Sequence, residues 1–308
     1  MSLVLVTSPR FVDHVTPAGH PERPERAETM EAVAARFAEQ GGTVLEPRLA
    51  TGEDLARVHT PEHIESIGEL RGRAAKIDED TFTSPDSDDI ARLAAGAVLT
   101  GVDAVLGGAA GSRALVMVRP PGHHAEAVRA MGFCLYNNIA VGAAYARAKG
   151  CARVAICDYD VHHGNGTQWI FYEDPTVLFV SSHQYPFYPG TGAASEIGRG
   201  AGACFTLNIP LEAGTQDDEV ERLYAEVAIP KVRAFKPDLL MISAGFDAHE
   251  QDPLGQLRMT TDGFGRLTMA LVSLADEICN GKVVLVTEGG YDLKALSDCL
   301  DAVIEVST

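Results

Sequence analysis

The chain has 308 residues, 46% of them hydrophobic, and its 43 acidic side chains outnumber 25 basic ones for a formal net charge of −18. That length can bury the core of one large α/β domain. The charge excludes a non-specific nucleic-acid binder and disfavours an anionic membrane surface, because phosphate neutralisation needs clustered Lys and Arg. In chain order, a strand expected at 3–7 is followed by helices at 24–39, 54–71 and 88–106. A turn at Gly107, Gly108 and Gly111 leads to a strand at 114–118 and a helix at 138–148. Strands follow at 153–158, 176–181 and 205–209. The remainder alternates: helix 217–235, strand 238–243, helix 261–279, strand 282–287 and helix 292–304. Several strands are nearly all apolar, as parallel strands buried on both faces should be. The pattern predicts an α/β fold with a mainly parallel sheet covered by helices, and no linker divides residues 1–308, so a single domain is expected.

No run of about 18 apolar residues marks a membrane span. Residues 1–4 lack a basic stretch ahead of a signal-type apolar core, which favours a cytoplasmic protein. Six cysteines form no C-x-x-C pair and fit a reducing compartment. Cys157 and Cys204 lie in apolar runs and are expected in the core.

In open parallel sheets, ligands bind beyond the carboxyl ends of the strands, and here those ends are rich in polar side chains. They deliver Arg119, His123 and His124; Asp158, Asp160, His162 and His163; Ser182 and His183; Asp247; and Glu288 and Tyr291. Asp158, Asp160 and His162 are two apart, so on a continuing extended segment they would point to one side. Asp160 and His162 can then share a divalent cation, with Asp247 as a third ligand. Two carboxylates and one imidazole leave an open position for water, as catalytic zinc sites require, and iron(II) suits the same set. Anionic ligands acidify water less than three imidazoles would, so a separate general base is needed, and His123 and His124 are the candidates. A strand-end Asp often caps the next helix and an adjacent His pair often sits in a loop. Their joint occurrence at neighbouring strand ends favours metal chemistry.

Seven segments, HPERPER at 20–26, RPPGHHAE at 119–126, MGFCLYNN at 131–138, DYDVHHGNGTQ at 158–168, SAGFD at 243–247, DPLG at 252–255 and EGGYD at 288–292, resemble the histone deacetylase family. The resemblance is to its class II and bacterial amidohydrolase branch, which includes acetylpolyamine amidohydrolases. It implies an arginase/deacetylase-type three-layer α/β/α sandwich with a mainly parallel eight-stranded sheet. It also implies zinc held by Asp160, His162 and Asp247, with His124 as general base and then acid and His123 assisting electrostatically. Tyr291 would donate a hydrogen bond to the substrate carbonyl, and Asp158 and Asn165 would partner His123 and His124. The neutral amide of Asn165 is expected to keep the pKa of His124 low. Phe133 and Tyr188 match aromatic walls around an aliphatic stem, with Gly132 and Leu254 beside them. Structural potassium is implied at Asp158, Asp160, His162 and Ser181, and around Phe171, Asp174 and Val177. Arg26 matches an internal-channel arginine that stabilises departing acetate, or it anchors the first helix. His59 and His63 are expected to be structural or exposed, His183 to line the pocket, and Trp169 to lie in the core. His249 flanks Asp247 and is not expected to ligate.

The leading reading is a zinc-dependent amidohydrolase that removes acetyl or other short acyl groups from ε-N-acyl-lysine in a peptide or protein. The alternative is an acetylpolyamine deacetylase, whose relatives place a carboxylate where this chain has Leu254. The acidic residues Asp78, Glu79, Asp80, Asp86, Asp88 and Asp89 either attract cationic substrates or form a solvated loop. A binuclear ureohydrolase is disfavoured because Asp247 is followed by Ala248 and His249. An inactive acyl-binding scaffold does not account for the intact set of polar residues. Oligomeric state, a homo-oligomer included, is left open.

Overall fold

The computed structural model describes residues 2–308. Its strands are β1 (Ser2–Val6), β2 (Thr43–Leu45), β3 (Ala75–Lys76), β4 (Phe82–Thr83), β5 (Ser112–Val116), β6 (Val154–Asp158), β7 (Val177–Gln184), β8 (Thr206–Leu211), β9 (Leu239–Ala244) and β10 (Val283–Thr287). Its helices are α1 (Glu25–Glu39), α2 (Gly52–Leu55), α3 (Pro61–Gly68), α4 (Ser87–Gly107), α5 (Asn138–Ala148), α6 (Asn165–Ile170), α7 (Asp217–Leu223), α8 (Ile229–Phe235), α9 (Thr261–Ile278) and α10 (Leu293–Ser307). Eight strands form one sheet in the order β2-β1-β5-β10-β9-β6-β7-β8, with every neighbouring pair parallel. β3 and β4 form a separate antiparallel pair.

Alternation along each strand feeds two cores, one on each sheet face. Val283 and Leu285 of β10 pack with Met30 of α1, Val232 of α8, Leu271 of α9 and Leu300 of α10. Val284 and Val286 pack on the other face with Leu55 of α2, Ile67 of α3, Val98 of α4 and Ile139 of α5. This is the α/β/α sandwich, and it explains why the strands read as continuous apolar runs rather than alternating ones.

The structure departs from the sequence expectations at identifiable points. The helix expected at 54–71 breaks in two, because Thr60 caps a new helix with Pro61 in its first turn. The helix at 217–235 carries a π-helical turn over Tyr224–Ala228, just before Pro230, which lacks an N–H. β2 was not anticipated; it is three residues long at the sheet edge, with no fully buried side chain. Cys157 is buried in β6, but Cys204 is exposed, in a turn with φ +70° just ahead of β8. Trp169 on α6 is also exposed and meets Tyr172 edge-on. α4 is long and apolar enough to cross a membrane, and 67% of its apolar window is buried within the fold. A search for an unbroken apolar run misses it, because Arg92 and Asp103 interrupt the sequence.

One charged cluster ties the amino-terminal segment to the strand ends. Glu22 accepts from Arg119 Nε at 2.6 Å and Nη2 at 2.8 Å, and from Arg26 Nη1 at 3.1 Å. Arg119 also donates to the carbonyls of Phe11 and His14, and Arg26 to those of Glu288 and Gly290. All three side chains are fully buried, so each charge needs its partner. Burial alone would raise the Glu22 pKa, but Arg119, His14 and Arg26 outweigh it and hold the carboxyl at about 2, against 4.5 ordinarily. A depressed carboxyl pKa stabilises the fold fully above pH 4.5, and that contribution is lost as pH falls towards 2. Glu22→Gln should therefore cost roughly 3–5 kcal/mol in denaturant unfolding at neutral pH. That penalty should shrink by pH 3, where the wild-type carboxyl begins to lose its advantage; an equal penalty at both pH values would contradict this account.

Candidate metal and catalytic site

The site lies where β5, β10, β9 and β6, consecutive in the sheet, release their chains at one edge. β6 stops at Asp158 and the chain then bends, so strand alternation does not aim Asp160 and His162 as expected. Backbone donors aim the carboxylates instead. Asp160 Oδ2 accepts from Gly289 N at 2.8 Å and Oδ1 from His162 N at 2.9 Å, while Asp247 Oδ1 accepts from Val161 N at 2.9 Å. Asp160 Oδ1 and Asp247 Oδ2 then flank His162 Nδ1 at 3.1 and 3.0 Å. Ligand atoms of these three residues lie within 4.8 Å of one another. A tetrahedral ion about 2.0–2.1 Å from each donor separates them by about 3.4 Å, so the triad fits a divalent cation with small adjustment. A Cβ at Gly289 would stand 2.1 Å from Asp247 Oδ2 and 2.7 Å from Asp160 Oδ2; only glycine lets the loop pass so close.

The electrostatics agree with that reading. Burial opposes charge on His162, but its hydrogen bonds to Asp160 and Asp247 push its pKa up to about 10. Burial and the neighbouring Asp160 raise Asp247 to about 7. These groups hold protons that a dication would displace.

The two adjacent histidines sit in contrasting environments, with ring centroids 4.1 Å apart. His123 Nδ1 lies 3.0 Å from Asp158 Oδ2, and His124 Nδ1 lies 2.7 Å from Asn165 Oδ1. Burial disfavours charge on His123, yet Asp160, Asp158 and Glu288 outweigh it and hold the ring well above the usual imidazole range. His124 is held well below that range, first by burial and then by the neighbouring His123 and His162. The Asn165 hydrogen bond favours the charged ring but ranks below burial and the two imidazoles, and its neutral amide sets no full negative charge beside His124.

A cavity of about 90 Å³ reaches this cluster, lined by His124, His162, Gly132, Phe133, Tyr188, Leu254, Tyr291 and Asp80. The Tyr188 ring meets His124 edge-on at 5.2 Å, and Phe133 meets Tyr291 at 5.8 Å. Gly132 has φ +56°, and a Cβ there would stand 2.5 Å from His124 Cδ2. Tyr291 is placed by its backbone N–H, which donates to Asp252 Oδ2 at 2.6 Å, and by the Arg26 guanidinium 5.0 Å from its ring centroid. Burial pushes the phenol pKa well up, so it stays a hydrogen-bond donor. Arg26 is tied to Glu22 and to the carbonyls of Glu288 and Gly290, which anchors both α1 and the Tyr291 loop.

Other residues fall outside the cavity. His183 lies within β7, buried, with Ser181 Oγ and the Gly192 carbonyl as partners, so it does not line the pocket as expected. His59 and His63 are buried and bond the backbone of Glu126, Asn137 and Leu135. His249 stacks on Phe264 rather than facing the triad. The acidic segment divides: Asp80 lines the cavity, whereas buried Asp88 binds Arg71, Arg92 and the Tyr136 hydroxyl. Asp158 pairs in register with Ser181 beside the triad. Phe171, Asp174 and Val177 lie at the opposite end of β7, where Asp174 binds Thr176 and donates its N–H to the Phe171 carbonyl.

Four contributors were given no role from the sequence. Glu288 accepts from the N–H groups of Gly122 and His123 and from Ser243 Oγ, and Asp252 holds the Tyr291 backbone. Phe187 stacks on His162 at 5.4 Å. His20 packs edge-on against Phe133 and bonds the Asp80 carbonyl. His20, Asp252 and Glu288 each open one of the matching segments at 20–26, 252–255 and 288–292, and Phe187 is one of two aromatics set between prolines at 186 and 189.

Residues 20–307 match the histone deacetylase domain. The chain is 40% identical over 293 residues to a probable deacetylase of Archaeoglobus fulgidus, covering 94% of this chain and 81% of that one. It is 39% identical over 293 residues to the polyamine deacetylase HDAC10 of Homo sapiens, covering 90% of this chain and 43% of that longer protein. The crystal structure of the HDA15 HD domain superposes with a TM-score of 0.91 at 38% identity, over 99% of this chain and 89% of the other. With a domain match along almost its whole length and relatives at this identity, the chain belongs to the histone deacetylase family and is an enzyme of the deacetylase type.

Proposed function

We propose that this single-domain protein is a zinc-dependent amidohydrolase that removes acetyl or another short acyl group from ε-N-acyl-lysine side chains. The observation that carries this reading is the narrow cavity that brings Tyr291, His124 and the triad residue His162 to one place. Phe133 and Tyr188 give it aromatic walls suited to an unbranched aliphatic stem. Asp160, His162 and Asp247 would hold the zinc, which when bound supplies a Lewis acid for the amide carbonyl and for water. The Tyr291 phenol, kept protonated by burial, donates to the carbonyl oxygen as negative charge develops there. His124, kept neutral, donates Nδ1–H to Asn165 Oδ1 and presents Nε2 to the attacking water. It takes that proton and returns it to the departing amine. His123, charged and held by Asp158, adds a fixed positive field. The products are acetate and a free lysine ammonium.

The same donor set accepts iron(II), and the oxygen-rich surroundings of Asp158 and Ser181, and of Phe171, Asp174 and Val177, suit structural potassium. Six free cysteines fit the reducing cytoplasm, and the net charge of −18 does not suit a nucleic-acid or membrane partner. For the substrate, Leu254 supports acyl-lysine because it places no carboxylate at the cavity mouth. Asp80 and the likeness to a polyamine deacetylase support acetylated polyamines as the second reading.

Measured kcat/KM should favour an acetyl-lysine peptide over acetylated polyamines by roughly tenfold or more, the worth of about 1.4 kcal/mol. A preference of that size for the polyamine would overturn the ranking. Asn165→Asp tests the base. A carboxylate beside His124 stabilises the imidazolium and raises its pKa, and the base acts only when neutral. The ascending limb of kcat/KM should therefore move to higher pH, by about one unit or more. An unmoved limb would remove His124 from that role.

A further inference from the structure

We propose that Glu126 is a positioning residue for the hydrolytic base: its carboxylate fixes the orientation of the Asn165 amide, and the amide in turn fixes the tautomer of His124. The inference rests on the assignment of His124 as the base.

Glu126 follows His123, His124 and Ala125 in the loop after β5, and its backbone is clamped on both sides. Its N–H donates to the Arg129 carbonyl at 3.0 Å. Its own carbonyl lies 3.0 Å from His59 Nδ1, and His59 Nε2 accepts from Asn137 N at 2.9 Å. With Nε2 accepting, His59 must carry its proton on Nδ1 and donate it to Glu126. The carboxylate is thereby carried to Asn165, where Oε1 accepts from Nδ2 at 2.9 Å. Arg129 closes the outer side with bonds of 2.8 Å to Oε1 and 3.0 Å to Oε2. The Glu126 side chain is only 16% exposed, whereas that of Arg129 is 60% exposed.

A carboxamide fits its site equally well in two orientations, and its hydrogen-bond partners choose between them. Here Nδ2 faces Glu126 Oε1 and, at 3.4 Å, Met131 Sδ, both acceptors, while Oδ1 faces His124 Nδ1 at 2.7 Å. A flipped amide would set Oδ1 against the carboxylate, acceptor against acceptor, in a site where Asn165 is buried. A thioether is too weak an acceptor to enforce the choice alone. The flip also has a chemical consequence. Nδ2 would then donate to His124 Nδ1, forcing the ring proton onto Nε2 and removing the lone pair that takes a proton from water. The carboxylate further polarises the amide through Nδ2–H, which strengthens Oδ1 as an acceptor for the imidazolium, yet it keeps the negative charge one amide away from the ring.

The test is the nitrogen spectrum of His124 in the metal-loaded protein, read by long-range ¹H–¹⁵N correlation, for wild type, Glu126→Leu and Glu126→Gln. Wild type should show Nδ1 protonated and Nε2 bare. Glu126→Leu should mix or reverse the two, and Glu126→Gln, whose oxygen still accepts from Asn165, should restore the wild-type pattern. Glu126→Ala gives the same reading should the leucine variant not fold. In parallel, kcat for Glu126→Leu should fall at least tenfold with KM within threefold of wild type, and the same change should cost nothing further in an Asn165→Ala background. A wild-type ring protonated on Nε2, or a tautomer unchanged by Glu126→Leu or Glu126→Ala, overturns the proposal. The spectrum is independent of turnover: an enzyme inactive on acyl-lysine whose His124 tautomer still follows Glu126 would overturn the functional reading and leave this one standing.

Discussion

Five carboxylates, Glu22, Asp158, Asp160, Asp247 and Glu288, are almost wholly buried at one edge of the sheet, and the architecture of the site follows from the need to compensate them. A buried anion without a partner is too costly to persist ionised. Each therefore draws in cations, protons or backbone donors. Glu22 takes two guanidinium groups. Asp158 takes His123. Glu288 takes two N–H groups from the loop that carries the histidine pair. Asp160 and Asp247 take the remaining share around His162, where a divalent ion would complete the balance. The bonds that neutralise charge are also those that fix the loops, so folding and site assembly are one problem.

The same compensation drives two adjacent imidazoles apart. His123 faces three carboxylates and is held charged, whereas His124 faces an amide and two other imidazoles and is held neutral. Neighbouring groups whose environments separate their pKa values mark acid and base assignments in hydrolytic sites. Asp252 and Arg26 act similarly on Tyr291, one through its backbone and one across its ring. The phenol is thus held against the cavity by groups that do not line it.

Central strands and most helices were legible in the sequence because burial on both faces leaves unbroken apolar runs and long helices leave clear periodicity. β2 left no such trace, being three residues at an edge. The break at Pro61 and the π-turn before Pro230 lie inside patterns whose periodicity continues across them. Cys204 and Trp169 show that an apolar neighbourhood in sequence does not ensure burial when the residue falls in a turn or on a short helix. At the site, residue types at five strand ends were enough to bring Asp160, His162, Asp247, His124 and Tyr291 under consideration together. The roles of the supporting residues Glu288, Asp252 and Glu126 were not legible, although all three stand in the matching segments, because they act on partners 39 or more positions away. The motif also revealed only one of the influences on the His124 pKa, the neutral Asn165, while burial and the spatially neighbouring rings act from outside it.

The central claim is that the buried carboxylate–imidazole triad is a metal centre. Zinc titration of metal-free protein tests it most directly, with stoichiometry and released protons measured together at neutral pH. One zinc per chain should bind, releasing protons from His162 and Asp247, and Asp247→Asn should weaken binding by at least tenfold, or about 1.4 kcal/mol. Binding without proton release, or at equal strength in the variant, would contradict the account.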